Sequence, residues 1–181
     1  MRYRIMLIIV LLLSVMFSIG QEDQYLIGRP AATFTLKAID GKSYSLAEMK
    51  GTYVVLHFAA TWCPFCNAEA PHLEELYKNY RDKNIQVFIV DVKEDKDLVE
   101  KSLARFKFSF PVLLDADGAV SASYAPEGVQ PDLARDEVPL ASNLILDKEG
   151  KIRFYSLLNS ANFDAKLTQL KQKLDELLQM K

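Results

Sequence analysis

The sequence predicts an α/β domain with a mixed central sheet. Apolar, β-branched runs at 53–58 and 85–92 are typical of strands buried on both faces, and each precedes a segment with apolar residues at helical spacing. Strands that alternate with helices imply right-handed crossovers, parallel neighbouring strands and helices on both faces of the sheet. The roughly 160 residues after position 20 suffice for one core, so we expect one domain over 21–181.

The remaining elements are predicted from turn signals and periodicity. Short strands at 34–36 and 44–46, around Asp40-Gly41-Lys42, indicate an N-terminal hairpin extension, and 110–114 is a further short strand. Two strands at 143–146 and 152–155 form a second hairpin over a turn that ends at Gly150. The segment 125–138 is long for a connection and is interpreted as a loop insertion.

Three helices are expected. The first begins at Pro64, is kinked at Pro71, buries apolar residues of one face and directs three carboxylates to solvent, namely Glu69, Glu74 and Glu75. The second places Leu98, Val99, Ser102, Leu103 and Phe106 on one face. The third is C-terminal, and its apolar stripe is expected to pack on the sheet: Phe163, Leu167, Leu170, Leu174, Leu177 and Leu178.

The N-terminal segment indicates export. Arg2 and Arg4 precede an uncharged apolar stretch at 5–19, and small residues at 18 and 20 suit cleavage before Gln21, so residues 1–20 are predicted to be a cleaved signal peptide. The stretch is shorter than the about 20 residues that span a bilayer, which favours a periplasmic product; an uncleaved signal acting as a membrane anchor is the alternative.

Charge excludes a nucleic-acid partner. The chain has 22 Lys and Arg against 24 Asp and Glu, and no basic run that could track phosphates. Removal of residues 1–20 takes away two arginines and leaves a mildly acidic product.

Cys63 and Cys66 carry the predicted chemistry. They lie where the buried strand at 53–58 gives way to a helix, so the first sulfur faces unpaired N–H groups and the positive end of the helix dipole. That position stabilises a thiolate and makes Cys63 the candidate attacking sulfur. Cys66, one turn further, is the candidate resolving sulfur, which attacks the mixed disulfide at Cys63.

Three other uses of the pair are weighed against this. An inert bridge closing so short a loop restrains the unfolded chain little. A zinc site needs four ligands, and the chain offers only the two cysteines with His57 and His72. Covalent haem attachment requires His directly after the second Cys, where Asn67 stands.

The stretch Phe58-Ala59-Ala60-Thr61-Trp62-Cys63-Pro64-Phe65-Cys66, followed by Glu69 and Pro71, resembles the active-site stretch of the thioredoxin-like superfamily. It is most similar to the exported TlpA/ResA-like thiol–disulfide oxidoreductases, and the likeness extends from Gly28 to the C-terminal helix. The resemblance implies a thioredoxin fold and disulfide exchange with exported proteins, leaning towards reduction. It implies no cofactor or metal, and a membrane thiol donor as a candidate partner. Trp62, Pro64 and Phe65 are the expected substrate contacts.

The resemblance also suggests two proton-transfer residues. Glu94 stands where ResA-like members have an acidic residue near the thiols; the alternative is a solvated charge in the run 93–96. His57 occupies the position of a buried Asp in thioredoxins and could relay a proton to Cys66; the alternative is a core His bonded to a neighbour.

The sequence departs from the family at its cis-proline. The usual spacing, counted back from Gly150, reaches Ala141, and Pro139 stands two residues earlier. We predict that the Val138–Pro139 bond forms the substrate platform with a local bulge; the alternative is a different platform.

Two rival functions remain at this point. A peroxiredoxin-like peroxidase would carry Pro and Thr before its reactive Cys, and here Thr61 is present without the Pro. A non-catalytic binding module would use the loop 125–138 to hold a partner, and the intact cysteine pair argues against it.

Overall fold

A computed structural model of the chain describes residues 26–125, 140, 142–156 and 163–179. The predicted signal peptide at 1–20 and all but the first residue of the predicted insertion at 125–138 lie outside these residues, as do Val138 and Pro139. Within the described ranges, no helix is both long and apolar enough to cross a bilayer.

The described residues form seven strands and four helices, with short 3₁₀ turns at Leu46–Met49 and Arg81–Lys83. The strands are β1 Thr35–Ala38, β2 Ser43–Ser45, β3 Tyr53–Ala59, β4 Ile85–Val92, β5 Val112–Asp115, β6 Ser142–Leu146 and β7 Ile152–Ser156. The helices are α1 Pro64–Tyr80, α2 Lys96–Leu103, α3 Ala119–Ala122 and α4 Thr168–Gln179.

The strands form one mixed sheet in the order β2-β1-β5-β4-β3-β6-β7. β3, β4 and β5 are parallel at the centre, whereas β1 and β2 at one edge and β6 and β7 at the other are antiparallel. This confirms the predicted α/β class, the N-terminal hairpin and the second hairpin. The parallel centre also places the carboxyl ends of β3 and β4 side by side, where the chain enters α1 and α2.

Two apolar layers cover the sheet. β3 alternates between them: Val55 and Ala59 face one layer, and Leu56 and Phe58 face the other. The first layer contains the inner faces of α1 and α4, and the second contains Phe34 and Tyr124. The C-terminal stripe packs as predicted, because four of its leucines are buried in the first layer: Leu167, Leu170, Leu174 and Leu177.

Some side chains differ from the predicted pattern. Glu69 and Glu74 were expected in solvent, yet both are buried and only Glu75 is exposed. Glu74 accepts hydrogen bonds from the backbone N–H and hydroxyl of Ser109, which stand in for water. On α2, Val99 is buried but Leu98 is 49% exposed, because this short helix buries a narrower face than the apolar pattern suggested.

The turn before β7 gives a small test of the fold. Gly150 has φ +79°, donates its N–H to the Asp147 carbonyl at 2.9 Å, and has open space where a Cβ would lie. We expect Gly150→Ala to lower the free energy of unfolding by about 1 kcal/mol, since the only cost is that of placing alanine in the left-handed backbone conformation. Urea unfolding measures it; an unchanged midpoint would contradict this backbone geometry.

Candidate active site

The redox motif stands at the junction of β3 and α1. Cys63 is the N-cap of α1 with extended backbone angles, and Pro64 occupies the first helical turn, where its missing N–H costs nothing. The backbone N–H of Cys66 donates to Cys63 Sγ at 3.2 Å. The predicted placement of Cys63 at a helix N-terminus is therefore confirmed. That its thiolate is stabilised there by the helix dipole stays a prediction.

Cys63 and Cys66 form a disulfide. Both are buried, at 3% and 4% exposure, whereas Trp62 is 71% exposed and Pro64 is exposed. Phe65 is half-buried and packs edge-on against Phe163, with 4.8 Å between ring centroids. A partner that reaches the Cys63 sulfur must therefore meet the exposed apolar surfaces of its two chain neighbours.

Glu94 follows β4 and is bonded to the active-site loop. Its carboxylate accepts hydrogen bonds from the Thr61 backbone N–H at 2.5 Å and the Thr61 hydroxyl at 2.6 Å. Glu94 is half-buried, so the alternative of a free solvated charge is not what the structure contains. Thr61 stands two residues before Cys63, so these contacts hold the loop that leads into the cysteine pair.

His57 lies in the centre of the sheet, beneath α1. Its Nδ1 is 2.9 Å from Asn143 Oδ1 on the neighbouring strand β6, and since that oxygen only accepts, Nδ1 carries the proton. Burial lowers the pKa of His57 to about 4, with the Asn143 bond opposing that shift. His57 is therefore a neutral, bonded core histidine at pH 7, as the alternative interpretation expected, and it also lines a small chamber with Cys66.

Glu69 continues this polar chain, although its role in the site was not predicted from the sequence. The Asn143 amide donates to both Glu69 carboxyl oxygens at 3.2 and 3.3 Å, and His57 Nδ1 lies 3.5 Å from Glu69 Oε2. Burial, together with the nearby Asp164 charge, raises the pKa of Glu69 to about 8 despite the Asn143 bond. Helical spacing could have revealed it, because Cys66, Glu69 and Leu73 stand three and four residues apart on one face.

Asp91 on β4 is the second missed group. It is 1% exposed and paired in register with Ala59 of β3. Burial and the neighbouring Glu94 carboxylate raise the pKa of Asp91 to about 8. The signal for it was a carboxylate inside the otherwise apolar run 85–92.

The structure thus brings Cys63, Cys66 and His57 together and ties Glu94 to the same loop, while Val138 and Pro139 fall outside the described residues. Among the residues described, no three His, Cys, Asp or Glu side chains are placed to share a metal ion.

A vicinal cysteine pair at the first helix of this sheet defines a thioredoxin-fold thiol–disulfide oxidoreductase. Residues 27–155 match the AhpC/TSA family, and the chain belongs to it. It is 30% identical over 155 residues to the thiol-disulfide oxidoreductase ResA of Bacillus thuringiensis subsp. konkukian (strain 97-27), covering 83% of each chain.

Solved structures agree on the fold. A proposed protein disulfide isomerase from Bacteroides thetaiotaomicron superposes with a TM-score of 0.71 at 27% identity, covering 84% of this chain and 89% of that one. A secreted Mycobacterium tuberculosis disulfide oxidoreductase homologous to DsbE of E. coli gives 0.62 at 23% identity, covering 80% and 96%.

Proposed function

We propose that the protein is an exported reductant for disulfides of other exported proteins, with Cys63 as the attacking sulfur and Cys66 as the resolving one. The observation that carries the proposal is the Cys63–Cys66 disulfide at the start of α1. The relatives named ResA support the exchange activity, and residues 1–20 supply the export signal.

The reaction consists of two exchanges. The Cys63 thiolate attacks a substrate disulfide, a Cys63–substrate bond forms, and the other substrate sulfur leaves as a thiolate that takes up a proton. Cys66 then loses its proton and attacks the Cys63 sulfur, which closes the Cys63–Cys66 disulfide and releases the second substrate sulfur. Two electrons pass from protein to substrate, and a thiol donor at the membrane restores the dithiol.

Substrate contact is assigned to the apolar surface around the sulfurs. Trp62 and Pro64 are exposed beside Cys63, and Phe65 is backed by Phe163. An aromatic surface of this kind fits an extended, partly unfolded chain better than a small polar molecule. Val138 and Pro139 stay the predicted platform for the substrate backbone.

Trapping tests the proposal. A Cys66→Ser variant is expected to retain the first exchange and lose the second, so mixed disulfides with exported proteins should accumulate and dissolve on addition of dithiothreitol. Non-reducing gels of extracts from the cell envelope measure them, and Cys63→Ser is the matched control that should form none. A folded Cys66→Ser protein that captures nothing would contradict the mechanism. Peroxide consumption by the wild type in the presence of thiol would favour the peroxidase instead.

A further inference from the structure

A small cavity, referred to below as the chamber, lies beside Cys66. It is about 10 Å³ in volume, at the lower limit for one water molecule. β3, β4 and α1 form its walls, and Leu103 and Phe108 line it on the side of α2. Most of its lining is apolar, but His57, Asp91 and Cys66 all border it.

Two of these polar groups have atoms whose hydrogen-bonding capacity the protein leaves unused. His57 Nε2 has no hydrogen bond, and neither carboxyl oxygen of Asp91 has one of ordinary geometry, although the Glu94 carboxyl interacts with Asp91; each side chain is 1% exposed. Because Nδ1 of the neutral His57 ring carries the proton, Nε2 is an acceptor. Buried polar atoms left unpaired cost about 1–3 kcal/mol each, so a single molecule that both donates and accepts fits this chamber.

We propose that the chamber holds one water molecule joining Asp91 and His57 Nε2 to Cys66 Sγ, and that Asp91 exchanges a proton with Cys66 through it. The inference rests on the proposed function and assigns the proton transfer to Asp91. Glu94 does not transfer the proton itself. It holds Thr61 through a hydrogen bond, and its charge lies near Asp91.

Cys66 gains a proton when the disulfide breaks and loses one when the disulfide forms again. When a partner thiolate attacks Cys63, the Cys63–Cys66 bond breaks, the electron pair stays on Cys66 Sγ, and Asp91 supplies the proton through the water. When Cys66 closes the disulfide again, its thiol proton returns to ionised Asp91 before the sulfur attacks. Asp91 does not touch the reacting atoms, so it is a positioning and proton-transfer residue.

The charged surroundings suit this role. Burial and Glu94 raise the pKa of Asp91 to about 8, close to the about 8.5 of a free thiol, and proton transfer is efficient between groups of similar pKa. From β3 the facing group is neutral His57, and from α1 it is Cys66 itself. Glu69 of α1 contacts His57 and Asn143 and does not line the chamber.

The test separates the two exchanges in time. Reduced protein is mixed with 5,5′-dithiobis(2-nitrobenzoate), and the released thiolate is followed by absorbance: the first equivalent reports attack by Cys63, and the second reports closure by Cys66. For Asp91→Asn we expect the second phase to slow at least tenfold at pH 7, with the first phase within twofold of wild type. The matched control is Glu74→Gln, a buried carboxyl bonded to Ser109, which should change neither phase.

The pH profile distinguishes proton transfer from a structural effect. The wild-type second phase should rise with pH and level off near pH 8, whereas that of Asp91→Asn should depend on ionisation of Cys66 alone and rise tenfold per pH unit until that thiol is ionised. Equal rates and profiles would overturn the inference. If the wild-type protein itself showed no first phase, the proposed function would be overturned instead.

A second measurement uses the wild-type chain and therefore does not depend on how the variant folds. The side-chain ¹³C resonance of Asp91 is titrated by NMR in the disulfide and dithiol states. The midpoint should move between the two states if Asp91 and Cys66 share a proton. An identical midpoint in both states would overturn the inference.

Discussion

Replacing Cys63 by serine is expected to lower the rate of disulfide exchange by a factor on the order of a thousand or more. A hydroxyl is not ionised near neutral pH, so the variant lacks the nucleophile that starts the first exchange. The measurement is reduction of insulin disulfides with dithiothreitol as the electron source, followed by turbidity.

Serine is the right substitute at this position because it keeps the start of α1 intact. Its hydroxyl can accept the Cys66 N–H that Cys63 Sγ accepts now, and serine is a favoured N-cap residue. Thermal unfolding of the variant should therefore match that of the reduced wild type. Retention of more than a tenth of the wild-type rate would contradict the assignment of Cys63 as the attacking sulfur.

The free energy of unfolding is expected to fall as the pH rises from about 5 to 8. In the fold, burial raises the pKa of Glu69 from 4.5 to about 8 and, with the Glu94 charge, raises that of Asp91 from 3.8 to about 8. At pH values between the unfolded pKa (about 4) and the folded pKa (about 8), the folded chain holds protons that the unfolded chain releases. This stabilisation of the fold is present at low pH and is lost towards pH 8. With both folded pKa values near 8, the loss should be about 3 to 4 kcal/mol for each carboxyl, or on the order of 7 kcal/mol for the two together.

Glu69→Gln isolates one of the two groups. The amide has the shape of the protonated carboxyl and needs no proton, so the variant should lose roughly half of the pH dependence and be more stable than wild type at pH 8. Urea unfolding of the oxidised proteins at several pH values measures this. Glu75→Gln on the exposed face of the same helix is the control, and its curve should run parallel to wild type. A Glu69→Gln curve as steep as that of wild type would mean that Glu69 is ionised in the fold.

The sequence predicted the scaffold of the site well. β3 and β4 are predominantly apolar runs rich in β-branched residues, a pattern that is typical of strands in the centre of a sheet. Pro64 after Cys63 marked the start of α1, because proline is suited to the first helical position. The apolar residues of α4 recur at helical spacing, and this periodicity predicted which face of the helix is buried.

The polar interior of the site was harder to predict, since it depends on contacts between distant residues. His57 is held by Asn143, which is 86 residues away and adjacent only through the pairing of β3 with β6. The four-residue helix α3 has no periodicity of its own, and the Asp115 carboxylate holds it by accepting hydrogen bonds from the backbone N–H groups of Val120 and Ser121. Glu69 was expected in solvent because it is charged, and Asp91 was not singled out, although helical spacing with Cys66 and an apolar run around Asp91 were signals of burial.

The two buried carboxyls change the electrical character of the whole molecule. The formal charge of −2 counts every Asp and Glu as ionised, but at pH 7 Glu69 and Asp91 mostly retain their protons. The folded protein is consequently less acidic than its composition states, and its isoelectric point lies above that of the same chain in denaturant. Denaturation at neutral pH liberates these protons to the solvent.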